Sequence, residues 1–596
     1  MRGCLTIRCL LGITFLYLLM ARAAYAQNTS PSPIATSNIK AADAAFHAGS
    51  EAYQRNDLRT AHAQFARVVR LAPNVAAGHA AFGTVLLAEN NPKAAVSELE
   101  LAHKLDPHDT NAILNLALTY VQLHENAKAI PLFQAVDEAH QSLSTQQAIA
   151  YASALAASSQ FAAAKARIEE ALITSPQDAT LYDALGTLLA QQEQYGEAEP
   201  HFQQAITLNP SIASAHYHLG SLYLAEGNPV SAVASLMQAN RLSSNNLEYS
   251  LQLGRALRSA HEDVQSIATL RHALQLMPTS IDAMYELALS LQASGNAREA
   301  LPLFQQVAKV RQQDAPTLTN YALALVQVGD AKTAIPLYKR ALTLTPSSPT
   351  LREDLGVAFL QQADINHAIE QFRAGLAVDP ASPHLHYDLG LAYKLKDDIN
   401  AAIPEFEQAA KLDPTLPDPP YTLGVLYMQL AQFPEAQVEL ERATILQPLH
   451  GDAWAMLGNV YKQNDQPEKA IAALRRAIQL MPDQPSPHIT LASILVRQAD
   501  TAGAASERKI AADLSRVAVS RQRANFSLDS GRTLLKRGQM AEAITQLKAA
   551  VAADPDYAEA HTALAEALTQ QGRTADAALE RQQAQRLAQA QHPKPD

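Results

Sequence analysis

Between residues 142 and 484 the apolar, small and polar positions recur with one fixed spacing. Prolines stand at Pro176, Pro210, Pro278, Pro346, Pro380, Pro414, Pro448 and Pro482, and Ser244 and Gln312 fill the two other rungs of the same 34-residue ladder. Twelve residues before each rung lies a small residue, from Ala164 and Ala198 to Ala436 and Ala470, with Ser266 the one departure from Ala. Twelve residues earlier lies another, always Gly or Ala, from Ala152 and Gly186 to Gly424 and Gly458. A leucine precedes that first small residue in most repeats (Leu185, Leu219, Leu253, Leu287, Leu355, Leu389, Leu423, Leu457), and an aromatic follows the second by four in Phe202, Phe304, Tyr338, Phe372 and Phe406. The pattern predicts two short antiparallel helices per repeat. Their backbones approach at the small positions, the leucines and aromatics fill the space between neighbouring hairpins, and the proline stops the second helix.

The arrangement resembles the tetratricopeptide repeat family. Trp454, Leu457, Gly458, Tyr461, Ala470, Ala477 and Pro482 stand at the family's offsets, and only its Phe place departs, to Leu474. The register continues back through Pro107 and Pro73, with Ala61 and Phe65, and forward through Gly531, Ala543, Leu547 and Pro555. It thus covers about 550 residues in ~16 repeats, the last a degenerate cap in which Arg581 replaces a core aromatic. The resemblance implies an all-α fold: a right-handed superhelical α-solenoid of antiparallel helix pairs with a 34-residue period, whose first helices line a concave groove.

Two departures from phase mark boundaries. Pro107 to Pro176 is one residue longer than two periods, and Pro482 to Pro555 is five longer. The expected organisation is a signal peptide over residues 1–26, a disordered linker over 27–40 rich in Ser, Thr, Asn and Pro, and N-terminal repeats over 41–141. A regular array over 142–484 follows, then an irregular repeat or hinge over 485–523, and finally C-terminal repeats with a capping helix over 524–596.

The N-terminus adds an expectation about compartment. Arg2 and Arg8 precede an apolar run from Cys9 to Met20, and Ala24-Tyr25-Ala26 has the form of an export cleavage site. The run between Arg8 and Arg22 is about 13 residues, short of the ~20 that span a bilayer, so cleavage is expected to leave no stable membrane anchor. The expected location is periplasmic or secreted. Both cysteines, Cys4 and Cys9, lie in this segment, outside any lipid-attachment pattern, so the processed chain has neither a disulfide nor a thiolate metal site. The net charge of -11 becomes more negative without Arg2, Arg8 and Arg22, which argues against a nucleic-acid partner.

The register leaves no stretch long enough for a catalytic domain, and no phosphate loop, nucleophile elbow or metal-binding helix motif occurs. No cofactor or metal is expected. The pairs His216/His218 and His384/His386 point in different directions on a helix, so neither can chelate one ion; they read as surface or groove histidines. Numbering each repeat so that Gly458 is position eight, position six holds Ala184, His218, Gln252, Glu286, Asn320, Asp354, Asp388, Thr422 and Met456. One Asn among them does not make the ladder found in O-linked N-acetylglucosamine transferases. Position five likewise lacks the Lys/Asn pattern with which chaperone-binding members of the family hold a terminal carboxylate.

Position five instead carries Tyr217, Tyr285, Tyr387 and Tyr421, which the family's register turns into the groove as exposed aromatics, with Leu251, Leu391, Val425, Met428 and the basic Lys394 on the same surface. Tyrosine offers large contact area at small entropic cost, which suits protein recognition; the competing reading is that these tyrosines pack against the next repeat. The basic residues from Arg508 to Lys536 read as a solvated helix face. Together these features point to a non-catalytic scaffold that binds segments of other proteins or peptides in its groove. An assembly factor for polysaccharide or outer-membrane export, and an enzyme without a recognisable active site, are the alternatives.

Overall fold

The computed structural model describes residues 33–591. The expected signal peptide and residues 27–32 of the linker lie outside the described residues. Among them 31 helices follow one another, from Pro33–Gln54 to Thr574–Gln591, with no strand. Consecutive helices pair, and because one long helix serves two pairs, the 31 helices form sixteen hairpins. The first helix begins at Pro33, so residues 33–40, expected as linker, are helical; proline is well suited to a helix start, and Ala42 and Ala45 already belong to the buried core.

Local chemistry sets the helix bounds. Many helices open on a side-chain cap: Asp57, Asp178, Asn246, Ser280, Ser348 and Asp398 each accept a backbone N–H of the first turn. Second helices such as Phe433–Leu446 and Pro467–Leu480 end two residues before the marker prolines Pro448 and Pro482. First helices end in a left-handed turn. In Asp418–Gln429, the Gln432 N–H donates to the Tyr427 carbonyl (2.8 Å) and the Ala431 N–H to that of Met428 (3.1 Å), with Ala431 at φ 56°. Gly227, Gly295, Gly329, Gly538 and Gly572 take this place elsewhere, but Ala363 and Ala499 share the left-handed strain of Ala431. Replacing any of these three alanines by Gly is expected to raise stability by roughly 0.5–1 kcal/mol, the relieved strain outweighing the added chain entropy. Urea midpoints of the three single variants test this, and a fall at all three would refute it.

The helices approach at the small positions as the sequence suggests, but the expected placement of the aromatics between neighbouring hairpins is corrected. The aromatic or leucine four residues after the second small position lies inside its own hairpin, directly across from the first small residue. A Cβ on Gly186 would sit 2.7 Å from the Phe202 ring, and one on Gly458 2.6 Å from Leu474 Cγ. Phe202, Phe304, Tyr338, Phe372 and Phe406 are all fully buried. The marker prolines also have a second use. Position-four side chains of the following repeat donate to their carbonyls: His216 to Pro210 (3.1 Å), Arg352 to Pro346 (3.0 Å) and Trp454 to Pro448 (3.0 Å). Each bond satisfies a loop carbonyl and ties one hairpin to the next.

The chain divides into two compact units between Gln312 and Gln313, with eight hairpins in each. In the first unit a single apolar cluster runs from Leu86 to Leu222. The extra residue between Pro107 and Pro176 lies in the six-residue connection between Asn126–Glu138 and Thr145–Ala157, where His140 adopts φ 54°. The core passes through this point uninterrupted, with Val136 and Ala150 both buried in it.

In the second unit the expected irregular repeat or hinge over 485–523 holds the helix Pro485–Arg497 and the first part of a continuous 36-residue helix, Thr501–Lys536. Its N-terminal part pairs with Pro485–Arg497 and its C-terminal part with Met540–Ala553. The physical reason is the missing stop: the place of the marker proline is taken by Arg516, and nothing in Ser515–Arg523 breaks a helix. The five additional residues extend the helix in place of a loop.

Candidate partner-binding surface

Positions five and twelve of a repeat are seven residues, or two turns, apart and so lie on one face of the first helix. In the second unit Pro383–Leu395 carries Tyr387 and Lys394, and the next first helix, Asp418–Gln429, carries Tyr421 and Met428. The two are first helices of successive repeats, so the four positions fall on adjoining faces of the repeat stack. In the first unit Tyr217 stands on Ala213–Ala225 and Tyr285 on Ile281–Ala293, with one repeat between them.

The four tyrosines are half-buried. Tyr217 stacks on Tyr249 of the next repeat (centroids 4.8 Å apart) and donates to Glu248 (3.1 Å); burial, then the Glu248 charge, pushes its phenol up to about 12. Tyr285 meets Phe304 edge-on at 6.2 Å, with the Arg311 guanidinium 5.0 Å from its ring centre. Tyr387 lies against Phe406 of its own hairpin at 5.4 Å, and Tyr421 against His450 of the next repeat at 4.7 Å. Full exposure is therefore corrected to partial exposure: each ring has one face braced on the scaffold. Two packings cause this: the next repeat's first helix comes within reach of Tyr217 and Tyr421, whereas Tyr285 and Tyr387 lean on the second helix of their own hairpin. Met428 is half-buried beside the same core as Tyr421, whereas Lys394 is exposed. Leu391 and Val425 are half-buried too, but Leu251 is in the core.

The acidic residues on these faces differ between the units. In the first, Asp183 is held by His218 (2.7 Å) and Ser214 (2.7 Å), and Glu286 by Arg255 (2.6 Å) and Arg258 (3.1 Å). In the second, Glu353, Asp354 and Asp388 have no ion-pair partner among the described residues. Burial, then repulsion from Glu353, raises Asp388 to about 7 and Asp354 to about 6 from an ordinary 3.8; burial also raises Glu353, partly offset by His384. A cation arriving beside Tyr387 would find carboxylates that burial alone leaves poorly compensated. Reading positions five and six for acids, rather than for Asn and Lys, is the signal that would have found this set in the sequence.

The histidine pairs separate as their helical spacing requires. His216 donates to Pro210 and His218 to Asp183, while His386 lies between Glu405 (2.6 Å) and the Pro380 carbonyl (3.2 Å) and His384 is exposed. Among the described residues no cluster of three or more His, Cys, Asp or Glu is arranged to hold a metal ion.

Comparison with known proteins supplies the family. The tetratricopeptide repeat family model matches residues 46–110, 184–246, 285–349, 353–417 and 421–485, over half of the chain. A second tetratricopeptide repeat model matches residues 86–148, and a TPR repeat model residues 531–572. No curated protein sequence matches. Among solved structures, a chain of the APC/C hetero-tetramer Cut9–Hcn1 is similar over 90% of this chain and 99% of its own, at 17% identity and TM-score 0.36. YrrB, a TPR protein with an unusual peptide-binding site, is similar over 31% of this chain and 95% of its own, at 24% identity and TM-score 0.28. MamA is similar over 28% and 92%, at 17% identity and TM-score 0.27. With its 34-residue register, its glycine-packed hairpins and the family-model matches over more than half of its length, the chain belongs to the tetratricopeptide repeat family.

Proposed function

We propose that this protein is an exported, non-catalytic scaffold that holds a segment of a partner protein on the first-helix surface of its second unit, around Tyr387, Lys394, Tyr421 and Met428. The observation that carries the reading is the set Glu353, Asp354 and Asp388, partly buried on successive first helices, with Asp388 next to Tyr387 and no ion-pair partner among the described residues. Their chemistry fits a segment that places a Lys or Arg at the carboxylates and an apolar or aromatic side chain against the half-exposed tyrosine faces. Tyr217 and Tyr285 of the first unit would offer further aromatic contacts, with their neighbouring acids already neutralised from within. Export rests on Arg2, Arg8, the apolar run to Met20 and the Ala24-Tyr25-Ala26 site.

Quantitative affinity capture from the exported fraction tests it. Tyr387→Ala with Tyr421→Ala should weaken partner retention on the order of thirtyfold, while half-burial limits the stability loss to roughly 1–2 kcal/mol. Retention equal to wild type would remove these tyrosines from the binding surface. Retention lost only in proportion to unfolding would assign them to the scaffold.

A further inference from the structure

The helix Thr501–Lys536 differs from every other second helix in carrying three turns with no core beneath them. Ala504 and Ala511 are buried at one end and Ala524, Leu528 and Gly531 at the other, but no residue from 512 to 523 is buried. The apolar clusters of the second unit reflect this: one ends at Ala504 and the next begins at Leu528. A solvated spacer would be polar here, yet Val517 is 59% and Val519 48% exposed, and just beyond these turns Phe526 is 78% exposed.

Helical periodicity places Arg508, Ala512, Ser515, Val519, Arg523 and Phe526 at successive steps of four, three, four, four and three, and so on a single stripe. All are exposed except Ser515, which is half-exposed. A shallow hollow of about 520 Å³ adjoins the stripe, lined by Gln522, Arg523, Phe526, Ser527 and Ala553.

The charges on this helix divide into engaged and free groups. Arg516 pairs with Asp513 (2.8 Å) and Arg532 with Glu559 (2.7 Å). Arg521 pairs with Asp554 and lies 4.3 Å from the Tyr557 ring centre, which secures the helix to the hairpins that follow. Arg508 and Arg523, the two cations on the stripe, have no such partner among the described residues. The helix as a whole holds seven basic and three acidic residues in a chain of net charge -11, and none of the acids, Glu507, Asp513 and Asp529, falls on the stripe.

We infer that this stripe is a second docking surface, separate from the first-helix surface proposed above, and that its occupant is an acidic amphipathic helix of a partner protein. Arg508 and Arg523 stand ~22 Å apart along the axis, about four turns, with Val519 and Phe526 as the apolar contacts. A partner helix that sets Leu or Ile on these residues and Glu or Asp at the arginines matches both features. A twofold contact between the stripes of two copies is disfavoured because it would bring Arg508 and Arg523 against like charge. An anionic bilayer is disfavoured because two free cations are few for such a surface and the protein is otherwise acidic.

The test uses the full chain and fluorescence anisotropy with a labelled Glu/Leu amphipathic helical peptide of about 18 residues. Saturable binding is expected, weakened roughly tenfold by Phe526→Ala and by Arg523→Glu, and unchanged by Tyr387→Ala with Tyr421→Ala. The stripe variants should keep wild-type helicity, since both side chains are exposed. Four outcomes would overturn the inference: no saturable binding at roughly millimolar protein, equal binding of the Lys/Leu counterpart, indifference to both stripe substitutions, or a stripe-dependent interaction confined to phosphatidylserine vesicles or to self-association in sedimentation.

Discussion

Gly424→Leu is expected to lower the stability of the second unit by roughly 3 kcal/mol, at the upper end of overpacking effects. Even a Cβ at this position would sit 2.5 Å from Leu440 Cγ and 2.8 Å from its Cδ2, and Leu440 is itself fully buried. The two helices must separate, or Leu440 must leave its rotamer and displace the core around it. Each repeat contacts chiefly its neighbours, so the loss should concentrate in the hairpins around Asp418–Leu446. Hydrogen exchange should show weakened protection there and nearly unchanged protection in the first unit. Gly196, whose Cβ would meet nothing within 4 Å, provides the control: Gly196→Ala should be neutral or slightly stabilising. If Gly424→Leu unfolds at the wild-type denaturant midpoint, close packing is the wrong account of position eight.

The second large effect is a dependence on pH. Asp388 and Asp354 titrate near 7 and near 6 in the folded protein, against 3.8 when unfolded, because burial and then the neighbouring Glu353 disfavour their charged forms. Between those limits the folded state binds more protons than the unfolded state, so stability falls as pH rises. Their contribution is complete below about pH 4 and is lost by about pH 7, where both states are ionised and the folded state carries two partly buried charges. Asp388→Asn should therefore be more stable than wild type at pH 8 by about 2 kcal/mol, allowing for solvent screening of a shift worth up to ~4 kcal/mol, and the two proteins should converge near pH 4. Thermal unfolding followed by circular dichroism at pH 4, 6 and 8 reads this directly. A wild-type midpoint as high at pH 8 as at pH 5, with no gain from Asp388→Asn, would contradict the burial of this carboxylate. A partner's cation at Asp388 would relieve the same penalty, so binding to the first-helix surface should strengthen as pH rises from 5 to 8.

Much of this molecule is written locally. The number of hairpins, their phase and the close approach of their helices at Gly186 or Gly458 follow from residues within one 34-residue period, but only packing decided that Phe202 and Leu474, sixteen residues further on, fill that approach inside the hairpin. The ends of the second helices were legible for the same reason: a marker proline acts on backbone groups a few residues away.

The face exposed to a partner was less legible. Whether position five shows a whole tyrosine or half of one depends on what the next repeat places beside it, as Tyr249 does for Tyr217 and His450 for Tyr421. Asp183, Glu286, Asp354 and Asp388 look alike in sequence, but only the first two find a His, Ser or Arg in a neighbouring repeat. The missing proline at Arg516 was visible and suggested a hinge, yet it could not say that Thr501–Lys536 would run straight through. By itself the sequence determined the repeat and its core, since close packing within a hairpin admits few residue types at each position. The tertiary structure decided which polar groups are neutralised and which apolar ones stay uncovered, because burial and Coulomb interactions depend on distances between repeats, and many residue combinations satisfy the same 34-residue period.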